Sequence, residues 1–303
     1  MPESPMSASP YEVLGVAVTA SEDDLRKAFR RALRATHPDT GGDPKLFTAV
    51  QLAWERVGTP QKRAAYDAGH GARLDQETFT AQAAPPRQDS RPKARAHGHP
   101  GGWRREHFLD QMREWVGRGV TIADPYDPAL VRTAPREIRR TLADALAEEA
   151  TARTLSTLGI GYTIWHDVAT TGPDQKIDHL VLGPTGLFAM LSEDFGGAVR
   201  ARKGDLIGES LDGERPMHDL ASRAKVLSRE LRVRFTALVI VVPDDALDEP
   251  LIELGRARGA ATAVVRQSTL GMLLRQGIPG VEPIGGNELF DVRTRLSSGV
   301  RFV

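Results

Sequence analysis

The 303-residue chain contains no cysteine, so disulfides, thiolate nucleophiles and cysteine-based zinc sites are excluded, and a reducing compartment is the fitting one. Net charge is absent too. Forty Lys and Arg balance forty Asp and Glu, which removes any global attraction to nucleic acid or an anionic membrane and leaves only local patches. Lysine is scarce, confined to positions 27, 45, 62, 93, 176, 203 and 225, so arginine carries most of the positive charge as a bias of the whole chain. Long apolar runs are missing: the longest, Ala237 to Val242, is far below the roughly 20 residues that span a bilayer. Met1-Pro2-Glu3-Ser4-Pro5 has neither the basic nor the apolar region of a secretory signal. A cytoplasmic protein with no membrane partner is the expectation.

The 40% hydrophobic and 26% charged residues are those of packed domains, and the length suits two modest ones. Residues 8 to 69 are periodic and capped. Residues 70 to 102 lose that periodicity and collect Gly, Pro, Gln and Arg, which predicts a flexible basic linker. Residues 103 to 134 read as a helical bridge whose first helix has Phe108, Met112, Trp115 and Val116 on one side. Residues 135 to 303 read as an α/β domain. Its first helix runs from Pro135 to about residue 158, β-rich runs follow at 162–168, 177–183, 186–191 and 236–242, and helices are expected at 216–234, 249–257 and 268–275.

In the first domain Ser21 is a good N-cap, Asp24 stands where a capping box places an acid, and Glu22 and Asp23 complement the helix dipole. On the helix that starts there, Leu25, Ala28, Phe29, Ala32 and Leu33 form an apolar arc opposite Arg26, Lys27, Arg30, Arg31 and Arg34. Pro38 halts this helix, putting His37 at its end and Asp39 in the following loop. A second helix from about Pro44 carries Phe47, Val50, Ala53, Trp54 and Val57 at spacings of three and four. The two apolar stripes can pack as an antiparallel hairpin with His37-Pro38-Asp39 at its tip.

These residues resemble the J-domain family along its whole length. Ser9-Pro10-Tyr11-Glu12-Val13-Leu14-Gly15-Val16 is similar to its opening helix, and Leu25, Phe29 and the basic positions to its second. His37-Pro38-Asp39, Phe47, Ala53-Trp54 and the closing Arg63-Ala64-Ala65-Tyr66-Asp67 follow in register. Thr36 and Thr40 stand where the family often has an aromatic and a lysine. The resemblance implies an all-α J domain in which Arg26, Lys27, Arg30, Arg31, Arg34, His37, Pro38 and Asp39 dock on a DnaK-type 70-kDa chaperone and stimulate its ATP hydrolysis. A basic arc steers toward an acidic partner surface, and a short rigid loop adds directional hydrogen bonds. The domain itself supplies no catalytic group, and no cofactor is implied.

Farther on, Ile177-Asp178-His179-Leu180-Val181-Leu182-Gly183-Pro184-Thr185-Gly186-Leu187-Phe188 resembles nuclease-related (NERD-like) domains of the PD-D/E-x-K superfamily, with a restriction-endonuclease-like core. Glu148 and Glu149 lie on the helix before it, and Pro216 opens one after. Such nucleases hold a divalent cation with carboxylates on adjacent strands and position water with a lysine. Asp178 fits the first carboxylate. The acidic-x-lysine triplet, however, falls on Leu191-Ser192-Glu193, and Asp219 stands where glutamine is common. The expectation is a vestigial site of Glu149, Asp178 and Glu193 and a non-catalytic domain binding nucleic acid or protein. A metal-dependent nuclease is the alternative, with Asp194 completing the carboxylates and Lys176 or Lys203 supplying the cation. His97 and His99 in the linker read as spacers rather than metal ligands, Arg87, Arg91, Lys93 and Arg95 as at most weak phosphate contacts, and Trp103, Trp115 and Trp165 as packing residues.

Overall fold

The computed structural model describes residues 6, 8–37, 42–67, 92–117, 119–170 and 175–303. They divide into two compact units, residues 1–88 with 121–135, and residues 89–120 with 136–303.

The first unit is helical. α1 (Pro10–Leu14) opens on a capping box in which Ser9 and Glu12 satisfy each other's backbone N–H, and Gly15 closes it in the left-handed region at φ 67°. α2 (Glu22–Thr36) is capped by the Ser21 side chain, which accepts from Asp24 N. α3 (Pro44–Val57) and α4 (Pro60–Asp67) complete the core around Tyr11, Leu14, Leu25, Val50, Ala53, Val57 and Tyr66. Phe29 and Trp54 stack at 4.3 Å, joining the stripes of α2 and α3 as their spacing predicts. A short helix, α6 (Pro128–Thr133), belongs to the same unit, and its Arg132 lies 4.5 Å over the Tyr66 ring.

The second unit is a mixed seven-stranded sheet between helices. The strands are β1 (Arg95–His97), β2 (Thr163–Ala169), β3 (Lys176–Gly183), β4 (Gly186–Ser192), β7 (Ala237–Val242), β8 (Leu251–Ala257) and β9 (Ala260–Arg266), in the order β1-β2-β3-β4-β7-β9-β8. β4, β7 and β9 run parallel, while β2-β3, β3-β4 and β8-β9 are antiparallel. β5 (Arg200–Arg202) and β6 (Asp205–Ile207) form a separate hairpin. Because both sheet faces are covered, β3, β4 and β7 are wholly buried, and β4 and β7 are apolar with little alternation, while β3 brings Lys176, Asp178 and His179 into the interior. α8 (Pro216–Leu231) and α10 (Gly286–Gly299) cover one face, and α7 (Arg136–Leu155) and α9 (Leu270–Gln276) the other.

Three expectations change. The linker reading of 70 to 102 fails from residue 92, because β1 pairs with β2 in parallel and the N–H groups of Ala94 and Arg95 donate to Leu158 and Tyr162 carbonyls at 2.9 and 3.1 Å. A three-residue strand with every side chain exposed leaves no hydrophobic period to read. The rest of that segment, through residue 91, lies outside the described residues. The helical bridge divides: α5 (Gly102–Val116) belongs to the second unit, whereas 121–135 belongs to the first. On α5, Phe108 and Met112 are fully buried but Trp115 is exposed, so one turn of the apolar side is left over. The helix expected at 249 to 257 is absent: residues 251 to 257 form β8, pairing antiparallel with β9, with Ile252 and Leu254 packed against the core and a bulge between Glu253 and Gly255.

Candidate functional site

In the helical unit, α2 presents the basic arc expected of it. Lys27, Arg30, Arg31 and Arg34 line a shallow open groove together with Ala35. Arg26 is 3.7 Å from Glu22 and Lys27 is 3.9 Å from Asp24, so acids of the helix's own first turn temper the near end of the arc. His37 closes α2 in extended backbone, and its ring meets Phe47 of α3 edge to face at 5.1 Å. Pro38 and Asp39 lie outside the described residues. Gly42 N–H donates to the His37 carbonyl at 3.0 Å. A Cβ at Gly42 would stand 2.2 Å from the Thr36 carbonyl carbon, so only glycine fits. At the domain's far end the Tyr11 hydroxyl donates to Asp67 at 2.8 Å, and burial followed by that acid's hydrogen bond pushes the phenol up to about 12.

The second unit gathers five carboxylates where α7, β2, β3 and the end of β4 meet. Asp178 on β3 is completely buried and accepts from Ser192 N–H at 2.8 Å. Glu148 and Asp144 sit one turn apart on α7, both buried, Asp167 comes from β2, and Glu193 follows β4. Asp167 adopts left-handed backbone within the strand, at φ 52°. Sequence reasoning chose Glu149, but its neighbour Glu148 is the residue that points inward. Glu149 pairs with Arg105 at the rim, at 2.7 and 3.0 Å. Asp194 contributes its backbone N–H to Asp144 rather than a carboxylate to the cluster, its Oδ1 accepting from Gly196 N–H.

Two buried cations fill the space among these acids. Lys176 Nζ hydrogen-bonds Asp167 at 2.5 Å and Glu148 at 2.6 Å and lies 3.0 Å from Asp178 Oδ1, an ion pair in which that buried oxygen accepts no hydrogen bond. Arg104, from the first turn of α5, bonds Glu148 through Nε, Asp144 through Nη1 at 2.9 Å and Glu193 through Nη2 at 3.2 Å, with Asp178 at 3.9 Å. Arg140 adds a third positive charge, 3.7 Å from Glu193 and 3.8 Å from Asp144. Gly101, at φ 74°, lets its N–H donate to the second oxygen of Glu148 at 3.0 Å, and a Cβ there would crowd the Ala145 carbonyl at 3.0 Å.

Burial opposes ionisation of Asp178, but Lys176 and Arg104 outweigh it and hold this carboxyl far below the usual carboxylate range. The same balance, burial against surrounding acids, leaves Lys176 and Arg104 above their ordinary values. Burial and the charge of Asp178 push Glu148 well up, and burial and Glu193 do the same to Asp144. Beside the cluster, His166 and His179 meet Nδ1 to Nδ1 at 2.8 Å, both buried. Burial, then neighbouring positive charge at His97 and Lys176, drives His166 down to about 4, and burial with His166 drives His179 well below the usual imidazole value.

Lys203, the other cation considered from sequence, lies on the β5-β6 turn, and Asp219 lies in the first turn of α8. Arg104 was missed. Its only signal was a pair of acids at positions 144 and 148, four apart on one helix, which repel unless a cation stands between them.

Together these features define a two-unit protein, a helical hairpin unit with a basic face followed by an α/β unit whose inward carboxylates are neutralised from within. Comparison with known proteins refines this: residues 9–67 match the DnaJ domain and residues 143–242 match the nuclease-related domain, NERD. The chain thus carries a J domain followed by a nuclease-related domain. Relatives share the first part. A DnaJ protein homolog of Cucumis sativus is 51% identical over 57 residues, 19% of this chain and 14% of that protein. The chaperone protein DnaJ 2 of Streptomyces coelicolor is 45% identical over 67 residues, 21% of this chain and 18% of that protein. The chain therefore spans less than a fifth of the length of these curated relatives.

The nuclease superfamily implies a divalent cation. The residues present do not fit one: Leu191 is buried in the apolar core where the second strand carboxylate belongs, Arg104 and Lys176 pair with Glu148, Asp144 and Glu193, and two cations, Lys176 at 3.0 Å and Arg104 at 3.9 Å, stand against Asp178 Oδ1, an oxygen that accepts no hydrogen bond. Among the described residues no group of three or more Asp, Glu or His is arranged to hold a metal ion, and no helix is long and apolar enough to cross a membrane.

Proposed function

We propose that this chain is a cytoplasmic co-chaperone. Its J domain, at residues 8 to 69, docks on a DnaK-type 70-kDa chaperone through Arg26, Lys27, Arg30, Arg31, Arg34, His37, Pro38 and Asp39 and stimulates ATP hydrolysis there. One observation carries this reading: a basic helix face runs up to a loop whose base is clasped by the Gly42 to His37 hydrogen bond and by the His37–Phe47 contact. Positive charge gives approach and orientation.

The second unit is the targeting half and performs no hydrolysis. Support comes from Arg104 and Lys176, which stand among the carboxylates that a metal ion would need.

Two assays test the proposal. Wild-type protein stimulates the steady-state ATPase of a DnaK-type chaperone and His37→Gln does not; no stimulation, or equal stimulation by the variant, defeats the first part. Incubation with plasmid and Mg²⁺ or Mn²⁺ leaves the DNA intact. Divalent-dependent cleavage that is absent in Asp178→Ala defeats the second.

A further inference from the structure

The geometry points to a surface on the second unit, built from two basic β-hairpins, that holds the phosphate backbone of double-stranded nucleic acid. It rests on the reading of this unit as the targeting half and names the class of its ligand.

β5 and β6 pair Arg200 with Ile207, Ala201 with Leu206 and Arg202 with Asp205, which leaves Lys203-Gly204 as a two-residue turn. Their φ values of 51° and 78° make it the mirror-image turn that matches strand twist. β8 and β9 close in the same way: Ala257 pairs with Ala260, and Arg258-Gly259 turn at φ 52° and 92°. The first position of such a turn favours Asn, Asp or Gly, because a longer side chain is strained in left-handed backbone. Here both turns place a long cation there. The glycine beside it keeps each turn tight, so the charge sits at the tip of a stiff ribbon.

The hairpins lie together. A Cβ on Gly204 would be 3.6 Å from the Leu254 carbonyl in β8. From that contact Arg256 and Arg258 are two and four residues on, about 7 and 13 Å along an extended strand. Arg200, Arg202, Lys203, Arg256 and Arg258 are all exposed, and among the described residues none of them forms an ion pair. Arg256 Nη1 donates only to the Gly259 carbonyl at 3.1 Å. Asp205, opposite Arg202 on β6, is buried and accepts from the Leu206, Met217 and His218 N–H groups, and Glu253 is set off from Arg256 by the bulge between Glu253 and Gly255. In a chain of zero net charge, five uncompensated cations on two adjoining ribbons are a local excess with no packing role, since all three residues of β5 are exposed.

Chemistry selects the partner. Guanidinium groups bond phosphate oxygens in pairs, and cations repeated along a rigid strand suit a ligand whose charges are also regularly spaced. A two-stranded ribbon is narrow enough to enter the roughly 12 Å major groove of B-form DNA. Neither hairpin carries an aromatic residue on which an unpaired base would stack, which favours a duplex over a single strand.

The test is fluorescence anisotropy of the full chain with a labelled mixed-sequence duplex of about 25 base pairs, two helical turns or more. Wild type is compared with the triple variant Arg200→Gln, Arg202→Gln, Arg256→Gln, all at exposed positions. Five phosphate contacts give a slope of log affinity against log salt near −4.5, a loss of a few hundred-fold between about 50 and 200 mM. The variant, with unchanged thermal unfolding, binds at least tenfold more weakly, and its slope is shallower by two to three units. The inference is overturned by a wild type that does not bind, by a variant with unaltered affinity and slope, or by poly-glutamate competing as well as unlabelled duplex, which would mark an acidic-protein site. A wild type that stimulates the chaperone ATPase but does not bind the duplex overturns this inference alone.

Discussion

Single residues set the chemistry of both units. Gly42 is the smallest of them, and its lack of a side chain lets it lie against the Thr36 carbonyl and donate its N–H to the His37 carbonyl. Gly42→Ala is expected to leave the helical content nearly intact while cutting ATPase stimulation severalfold; full stimulation would show that the clasp is dispensable. Arg104 stands at the other extreme, a buried guanidinium bonding three carboxylates. Replacing it with methionine strands those charges at about 3–5 kcal/mol, lowering the thermal midpoint on the order of 10 °C. Adding Glu148→Gln should recover part of that loss, and an unshifted midpoint in the single variant would contradict the role given to Arg104.

His166 titrates in the opposite direction from a salt-bridged histidine. With its folded value near 4 and an unfolded value of 6.5, the unfolded chain binds the extra proton between these limits. Its contribution is therefore complete above pH 6.5 and is lost as pH falls to 4, a change of about 3 kcal/mol. Glu148 and Asp144, whose folded values are raised, contribute stability below the ordinary carboxylate range and lose it as pH rises. The informative quantity is thus the difference between proteins: in urea titrations the pH dependence of stability between 4 and 6.5 should be flatter for His166→Gln than for wild type. Identical slopes would count against it.

Among elements, α5 has the most unexpected role. The periodicity of Phe108 and Met112 was legible as an amphipathic helix, but its attachment was not, because an apolar side does not name its partner and the polar contacts to α7 come from Arg104 and Arg105 in a sequence rich in arginine. Strands β3, β4 and β7 were legible because full burial on both faces imposes apolar runs. β8 was not, since a half-exposed edge strand carrying Gly255 has too little alternation to separate a period of two from one of 3.6. Docking of α5 has a measurable signature. Its central amides should exchange with those of α7, through opening of the whole second unit, and fast independent exchange would return α5 to the status of a bridge.

For the whole molecule, the J-domain pattern was readable because it is local: caps, two stripes and a loop within 60 residues. The carboxylate cluster assembles from positions 104 to 193, and no short window holds both the acids and their cations. The proposed division of tasks between the two units predicts a double dissociation. His37→Gln should abolish ATPase stimulation with no change in the unfolding transition of the second unit. Arg104→Met should shift that transition while stimulation persists at temperatures below it. Coupled loss in either variant would argue for a shared task.

The arginine that settles the fate of the acids is encoded 39 positions upstream of the segment that matches the nuclease-related domain, which begins at residue 143. A gene fragment cut at that match would encode Asp144, Glu148, Asp178 and Glu193 without their guanidinium, and its product would carry an acidic cluster short of one cation. The excisable unit starts by residue 92 and omits 121–135, so its faithful expression requires splicing two stretches of coding sequence rather than trimming at one boundary.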